Sequence, residues 1–206
     1  MKDKITLSDK ITNNTTKETK TVTLGCRLNY YESELILKNA KTCKQKNTII
    51  VNTCAVTNEA ERQSKQTIRK MKRLNPNSKI IATGCAVQLK PSDFLEMEEV
   101  DQVVGNEHKT KKEIFLKYNN SKKIVSDIMN VTNNKVAAIY TDANRSRTNV
   151  EIQQGCDHRC TFCVIPFARG NNRSTPMGSL INHIKGLVKN GYSEITLTGV
   201  DICSYG

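Results

Sequence analysis

Three times in the first half of the chain, a β-branched stretch ends in one or two small or polar residues and then a cysteine. Thr21-Val22-Thr23-Leu24 runs into Gly25-Cys26, Thr48-Ile49-Ile50-Val51 runs through Asn52-Thr53 into Cys54, and Lys79-Ile80-Ile81-Ala82 runs through Thr83-Gly84 into Cys85. Helical patterns follow each one. Asn29 is placed to cap a helix through Asn39, and Asn58 and Glu61 have capping-box spacing. Ala60, Ser64, Thr67, Ile68, Met71 and Leu74 then recur at helical intervals until Asn75-Pro76-Asn77 stops the run. A fourth strand is predicted over Val100–Val104 and a helix near Lys109–Tyr118. Strands alternating with helices predict an α/β fold with a parallel sheet. The C-terminal ends of such strands share one edge, where ligands bind. Cys26, Cys54 and Cys85 are therefore expected to converge there, with three ordinary buried cysteines as the alternative.

Charge narrows the partner. Lys and Arg number 32 against 20 acidic residues, a formal net charge of +12, which favours a polyanion, nucleic acid before membrane. No apolar run approaches the ~18 residues of a membrane span. Met1–Lys20 lacks the apolar centre of a secretory signal, so a cytoplasmic location with no membrane partner is expected. Eight cysteines then point to metal or redox chemistry in a reducing compartment, not to a disulfide framework. Residues 1–20 read as a disordered extension, with the fold beginning at Thr21. The Asn- and Lys-rich residues 119–146 read as a linker containing a strand over Val136–Tyr140. A second unit is expected from Arg147: a strand over Asn149–Gln153, a helix over Thr175–Asn190 and a strand over Glu194–Thr198, one βαβ unit.

The sharpest motif lies in that second unit. Gly155-Cys156-Asp157-His158-Arg159-Cys160-Thr161-Phe162-Cys163 has the spacing Cys-x3-Cys-x2-Cys. Zinc sites take four ligands, commonly as paired Cys-x2-Cys knuckles. Here three thiols stand together, and His158 could complete a Cys3His zinc site. On a [4Fe–4S] cube, three cysteines leave one iron without a protein ligand, open to a substrate.

The triplet, placed just after a barrel-like strand, resembles the radical S-adenosyl-L-methionine (SAM) superfamily. There the open iron chelates the methionine part of SAM, and one electron cleaves SAM to methionine and a 5′-deoxyadenosyl radical. The resemblance places Phe162 near the adenine, and Thr198 and Gly199, in Thr198-Gly199-Val200-Asp201, near the SAM amino group. Leu24-Gly25-Cys26-Arg27-Leu28-Asn29-Tyr30-Tyr31-Glu32-Ser33-Glu34 and Val51-Asn52-Thr53-Cys54-Ala55-Val56-Thr57 resemble the methylthiotransferases. So do Thr83-Gly84-Cys85 and Ile165-Pro166-Phe167-Ala168-Arg169-Gly170-Asn171-Asn172-Arg173-Ser174. Tyr31-Glu32-Ser33-Glu34 is most similar to the MtaB-type branch, which acts on threonylcarbamoyladenosine in tRNA.

That resemblance implies two [4Fe–4S] clusters and SAM as cofactors. Cys156, Cys160 and Cys163 would hold the SAM-cleaving cluster, and Cys26, Cys54 and Cys85 an auxiliary one that delivers sulfur. The implied activity attaches a methylthio group to C2 of adenosine 37, in the anticodon loop of tRNA. An electron donor such as flavodoxin or ferredoxin is the implied redox partner. Alternative substrates are isopentenyladenosine 37 and a ribosomal-protein aspartate; a non-catalytic cluster-binding remnant is the reading from another class. The implied architecture is an N-terminal α/β domain over 21–118, a linker over 119–146, and the first βαβ of an incomplete radical-SAM (β/α) barrel over 147–206.

Other residues carry weaker signals. Cys43 and Cys203 fall outside both triplets and read as bystanders. Arg62, Lys65, Arg69 and Lys72 form one helical stripe, and Asp93–Asp101 reads as a solvated acidic surface. The Lys109–Lys123 stretch reads as another solvated face. Arg145, Arg147, Arg169 and Arg173 flank the cysteine loop, and Arg169 and Arg173 are the candidates for positioning RNA phosphates. His108 and His183 read as surface residues. A full (β/α)8 barrel takes ~250 residues, so the chain is expected to be C-terminally truncated, a fragment, or one half of an enzyme whose barrel a second chain completes.

Overall fold

The β-branched stretches become the centre of one sheet. The computed structural model describes residues 18–116, 121–132 and 146–206. The extension before residue 18, most of the 119–146 linker with its strand over 136–140, and Arg145 lie outside these. Strands β1 (Lys20–Thr23), β2 (Thr48–Thr53), β3 (Lys79–Gly84), β4 (Gln102–Val104) and β5 (Lys123–Ile124) pair in chain order. Every pair is parallel. All six residues of β2 are buried, as a strand covered on both faces requires.

Alternation divides the core in two. Ile49, Val51, Ile80 and Ala82 meet Ile68 of α2 (Asn58–Leu74), Val87 of α3 (Cys85–Leu89) and Phe94 of α4 (Pro91–Leu95). Ile50 and Ile81 point the other way, onto Ile36 and Ala40 of α1 (Arg27–Thr42) and onto Ile114 and Phe115 of a 3-10 turn, Lys112–Phe115. Strand order advances one way while α1 and α2 cover opposite faces, so the two crossovers have opposite hands. One of them departs from the right-handed rule.

Several expectations shift. Cys26 is the N-cap of α1, and Asn29 lies buried inside the first turn. The α2 cap is Thr57, whose hydroxyl accepts from the Ala60 amide at 3.0 Å. Asn58 and Glu61 therefore form no capping box, and Glu61 pairs with Lys90 and Lys65 instead. Within 109–116 only the 3-10 turn is helical, and Lys109 is 2% exposed, not a solvated residue. The fold starts before Thr21: Lys20 opens β1, and the buried Thr19 hydroxyl donates to the Gln45 carbonyl.

In the second unit β6 (Arg147–Glu151) pairs parallel with β9 (Glu194–Thr198) beneath α6 (Met177–Lys189). Val150, Ile152, Leu180, Leu187 and Tyr192 form its core. The expected strand over Asn149–Gln153 is split. β6 ends at Glu151, and Gln153–Gln154 (β7) pairs antiparallel with Arg173–Ser174 (β8). Between them lie the cysteine loop and α5 (Ile165–Arg169). His183 is buried in α6 rather than lying on the surface. Among the described residues no helix is long and apolar enough to cross a membrane.

Candidate metal centres

Cys26, Cys54 and Cys85 each follow the C-terminal end of a neighbouring parallel strand, so the sheet brings them to one edge. Two glycines shape that edge. Gly25 and Gly84 sit at φ +98° and +102°, a region L side chains avoid. A Cβ on Gly25 would lie 2.8 Å from Cys54 Sγ, and one on Gly84 would strike the Thr53 backbone. The cysteines feel one another. Burial pushes the Cys54 thiol up, and the charges of Cys85 and Cys26 push in the same direction.

Two side-chain amides fasten this edge to α5. Asn29 Nδ2 donates to the Leu24 carbonyl at 2.6 Å and the Thr53 carbonyl at 3.1 Å, just upstream of Cys26 and Cys54. Its Oδ1 accepts from Arg169 Nη2 at 2.6 Å. Asn106, which follows β4, places Nδ2 at 3.7 Å from Cys85 Sγ and at 2.7 Å from the Ala168 carbonyl.

The loop trio is arranged by β7 and the end of β9. Gly155 sits at φ +71°, where a Cβ would collide with the Asn171 carbonyl, and Cys156 N donates to the Gly170 carbonyl at 3.1 Å. Cys163 N turns back onto the Cys160 carbonyl at 3.0 Å. Cys156 Sγ lies 3.7 Å from Asp201 Oδ2, which also accepts from the Ser204 hydroxyl. Burial pushes the Cys156 thiol up, while the His158 backbone amide opposes that and Asp201 adds to it. The buried Gln153 joins the two ends. Its Nε2 donates to the Gly155 carbonyl at 2.7 Å, and its Oε1 accepts from the Val200 and Asp201 amides at 2.9 and 2.8 Å. The turn holding Thr198 and Gly199 is thereby fixed beside the Cys156 loop. Phe162, at the loop tip, is 89% exposed.

Arg169 and Arg173 have partners other than RNA. Arg169 is 3% exposed and forks onto Glu32, with Nη1 to Oε1 at 3.0 Å and Nη2 to Oε2 at 3.2 Å. Arg173 is 9% exposed and donates to the Arg169 and Asn171 carbonyls. Both guanidinium groups are turned inward: Arg169 donates to Glu32, Asn29 and Gln154, and Arg173 to backbone carbonyls through its two Nη atoms, with its Nε buried and unpaired among the described residues. Glu32 also takes Lys109 Nζ at 2.6 Å and Gln154 Nε2 at 3.0 Å. Burial alone would push its carboxyl up, but Arg169 and Lys109 outweigh that and hold it at about 2. Glu151 lies behind it, bonded to Gln154 Nε2 at 2.9 Å. Burial, and then the Glu32 charge, push the Glu151 carboxyl up to about 7.

The α2 stripe is likewise occupied. Lys65 pairs with Asp93 at 2.8 Å, Arg69 with Glu99 at 3.8 Å, and Lys72 with Asp101 at 3.4 Å. The Asp93–Asp101 stretch is its partner, and Asp93, Glu96, Glu98 and Asp101 are exposed, as a solvated acidic surface requires. Cys43 packs against the α1 core and Cys203 is exposed. None of Asn29, Glu32, Asn106, Lys109 and Gln153 was expected as a site residue: Asn29 read as a helix cap, Glu32 as part of the family motif and Lys109 as part of a solvated face, since isolated polar residues carry no spacing signal. The Gly-Cys pairs at 25–26, 84–85 and 155–156 do recur in the sequence.

Among the described residues, no three His, Cys, Asp or Glu side chains are gathered closely enough to hold one metal ion. A lone tetrahedral ion needs its thiolates on a shell of ~2.3 Å radius. The three sheet-edge thiols stand on separate loops within reach of one another's charge, a donor set that a multi-iron group can take. The charge of the buried Arg169 guanidinium, felt by Cys85 and Cys26, and the Asn106 amide at Cys85 Sγ suit a group of net negative charge.

A family described as "Uncharacterized protein family UPF0004" matches residues 18–105. The chain is 46% identical over 185 residues to the threonylcarbamoyladenosine tRNA methylthiotransferase MtaB of Rickettsia prowazekii, covering 90% of this chain and 44% of that protein. It is 35% identical over 198 residues to the MtaB protein of Bacillus subtilis, covering 89% and 44%. A tRNA-2-methylthio-N(6)-dimethylallyladenosine synthase of Thermodesulfovibrio yellowstonii is 32% identical over 198 residues, covering 89% and 45%. The chain spans less than half the length of these curated relatives.

Proposed function

The chain belongs to the MtaB-type methylthiotransferase family, and from that premise we propose that it serves methylthiolation of C2 in N6-threonylcarbamoyladenosine 37 of tRNA. Cys26, Cys54 and Cys85 would hold one [4Fe–4S] cluster, and Cys156, Cys160 and Cys163 another. When bound, these clusters and SAM supply the one-electron chemistry and the sulfur that substitution of an unreactive aryl C–H bond needs. The observation that carries the reading is the meeting of Cys26, Cys54 and Cys85 at one sheet edge, joined through Asn29 and Asn106 to the helix that follows the second trio. In this reading residues 21–118 form the auxiliary unit, 119–146 a linker, and the SAM-binding unit starts at 147. It works in the cytoplasm with an electron donor such as flavodoxin or ferredoxin.

The chain's own residues hold and orient. Gly25, Gly84 and Gly155 bring backbone close behind three of the six thiols. Gln153 sets the Thr198-Gly199 turn against the Cys156 loop. Phe162 stands free to cover an adenine on that face.

Nucleoside profiling after gene deletion tests the substrate. Loss of the methylthio group from threonylcarbamoyladenosine alone supports the reading. Its loss from isopentenyladenosine instead, or an unchanged profile, overturns it. Cys160→Ala should abolish SAM cleavage by the reconstituted protein. Cys54→Ala should leave cleavage intact and stop methylthiolation; persistence of the product in Cys54→Ala would remove the auxiliary site from the proposal.

A further inference from the structure

Arg169 belongs to the second unit, yet its guanidinium is spent on the first. It is buried, forks onto Glu32 of α1, and grips Asn29, whose amide holds the carbonyls upstream of Cys26 and Cys54. One residue earlier, the Ala168 carbonyl takes the Asn106 amide that touches Cys85 Sγ. All three sheet-edge cysteine loops are thus tied to the C-terminal end of α5, and the Cys156–Cys163 loop ends just before that helix. We propose that Arg169 is the positioning residue through which the second unit sets the geometry and the charge at the Cys26–Cys54–Cys85 centre. The proposal rests on the reading that this trio holds an iron–sulfur cluster.

The electrostatics follow from charge count. Three thiolates on a [4Fe–4S] core give a net anion, and reduction adds one more negative charge. A fixed buried cation favours the reduced form and raises the potential; nearby charge and hydrogen bonds to the sulfurs are established levers on it. Glu32 opposes Arg169 at the same place, so the two residues should move the potential in opposite directions. Burial disfavours a charged guanidinium, but the Cys85 and Glu32 charges more than compensate, and Arg169 stays charged.

The test is a redox titration followed by electron paramagnetic resonance on the reconstituted chain. It is run with Cys156, Cys160 and Cys163 each replaced by Ala, so that one cluster reports. Arg169→Gln should lower the potential, by about tenfold in the reduction equilibrium or ~59 mV for one electron, without loss of iron. Arg169→Lys should restore much of the shift, because it returns the charge without the fork. Glu32→Gln should raise the potential. A structural role alone would cost iron or stability in both variants and would give no opposed shifts. An unchanged potential in Arg169→Gln at full iron content overturns the proposal. If Arg169→Gln does not fold, Arg169→Lys and Glu32→Gln decide it: shifts of the same sign, or none, overturn it. Absence of iron from the chain with Arg169 intact overturns the cluster reading itself, and the proposal with it.

Discussion

Gly84 stands at φ +102° one residue before Cys85, with the Thr53 backbone where a side chain would begin. Gly84→Ala should therefore destabilise the chain by more than ~1 kcal/mol. Gly178→Ala, in α6 with open space around it, should raise stability by up to ~1 kcal/mol. Denaturant midpoints of the two variants check both signs. The sequence showed the Gly-Cys pairs but not their reason, because a positive φ is set by what the preceding strands leave room for. Asn29 makes the same point. Its position suggested a helix cap, whereas its amide serves two carbonyls from different strands, and only the assembled sheet brings those together.

Among the elements, α2 was the most readable. Its apolar positions gave its span closely, since a 3.6-residue period is local information. The partner of its basic stripe was not readable, because Asp93–Asp101 meets it only after β3 has returned the chain to the same face. Arg69→Ala should consequently leave tRNA binding by the reconstituted protein unchanged in a filter assay, including its salt dependence; a reduced salt slope would place the stripe on RNA. Phe94 of α4 is fully buried in the α2-side core with Lys65 above its ring. Phe94→Ala should cost ~3–5 kcal/mol in equilibrium unfolding. The 109–118 helix failed as an expectation over its described part: Lys109 turns inward to Glu32, and only Lys112–Phe115 coils, as a 3-10 turn.

At the scale of the whole molecule, the joint between the units is a buried polar network, and its pH dependence has a definite sign. Glu151 keeps its proton up to about 7 in the folded chain, while an unfolded glutamate releases it in the ordinary carboxylate range. The folded state binds the extra proton between those limits, so this group's contribution to stability falls as pH rises through that window. Glu32 is the opposite case: held ionised down to about 2, it contributes stability at neutral pH that is lost on acidification. Glu151→Gln should leave the melting temperature little changed near pH ~5 and raise it near pH ~8. An equal shift at both values would remove Glu151 from the titrating joint. The sequence by itself determined the parallel sheet, the strand-end position of three cysteines, the compact second trio and the family, because these lie in local period and spacing. Only the tertiary structure decided where Arg169 and Arg173 point, that Lys109 and His183 are buried, and that the basic stripe is matched. A buried charge is stable only beside partners, and here they are distant in sequence, 137 residues for Arg169 and Glu32, so no local pattern records the pairing.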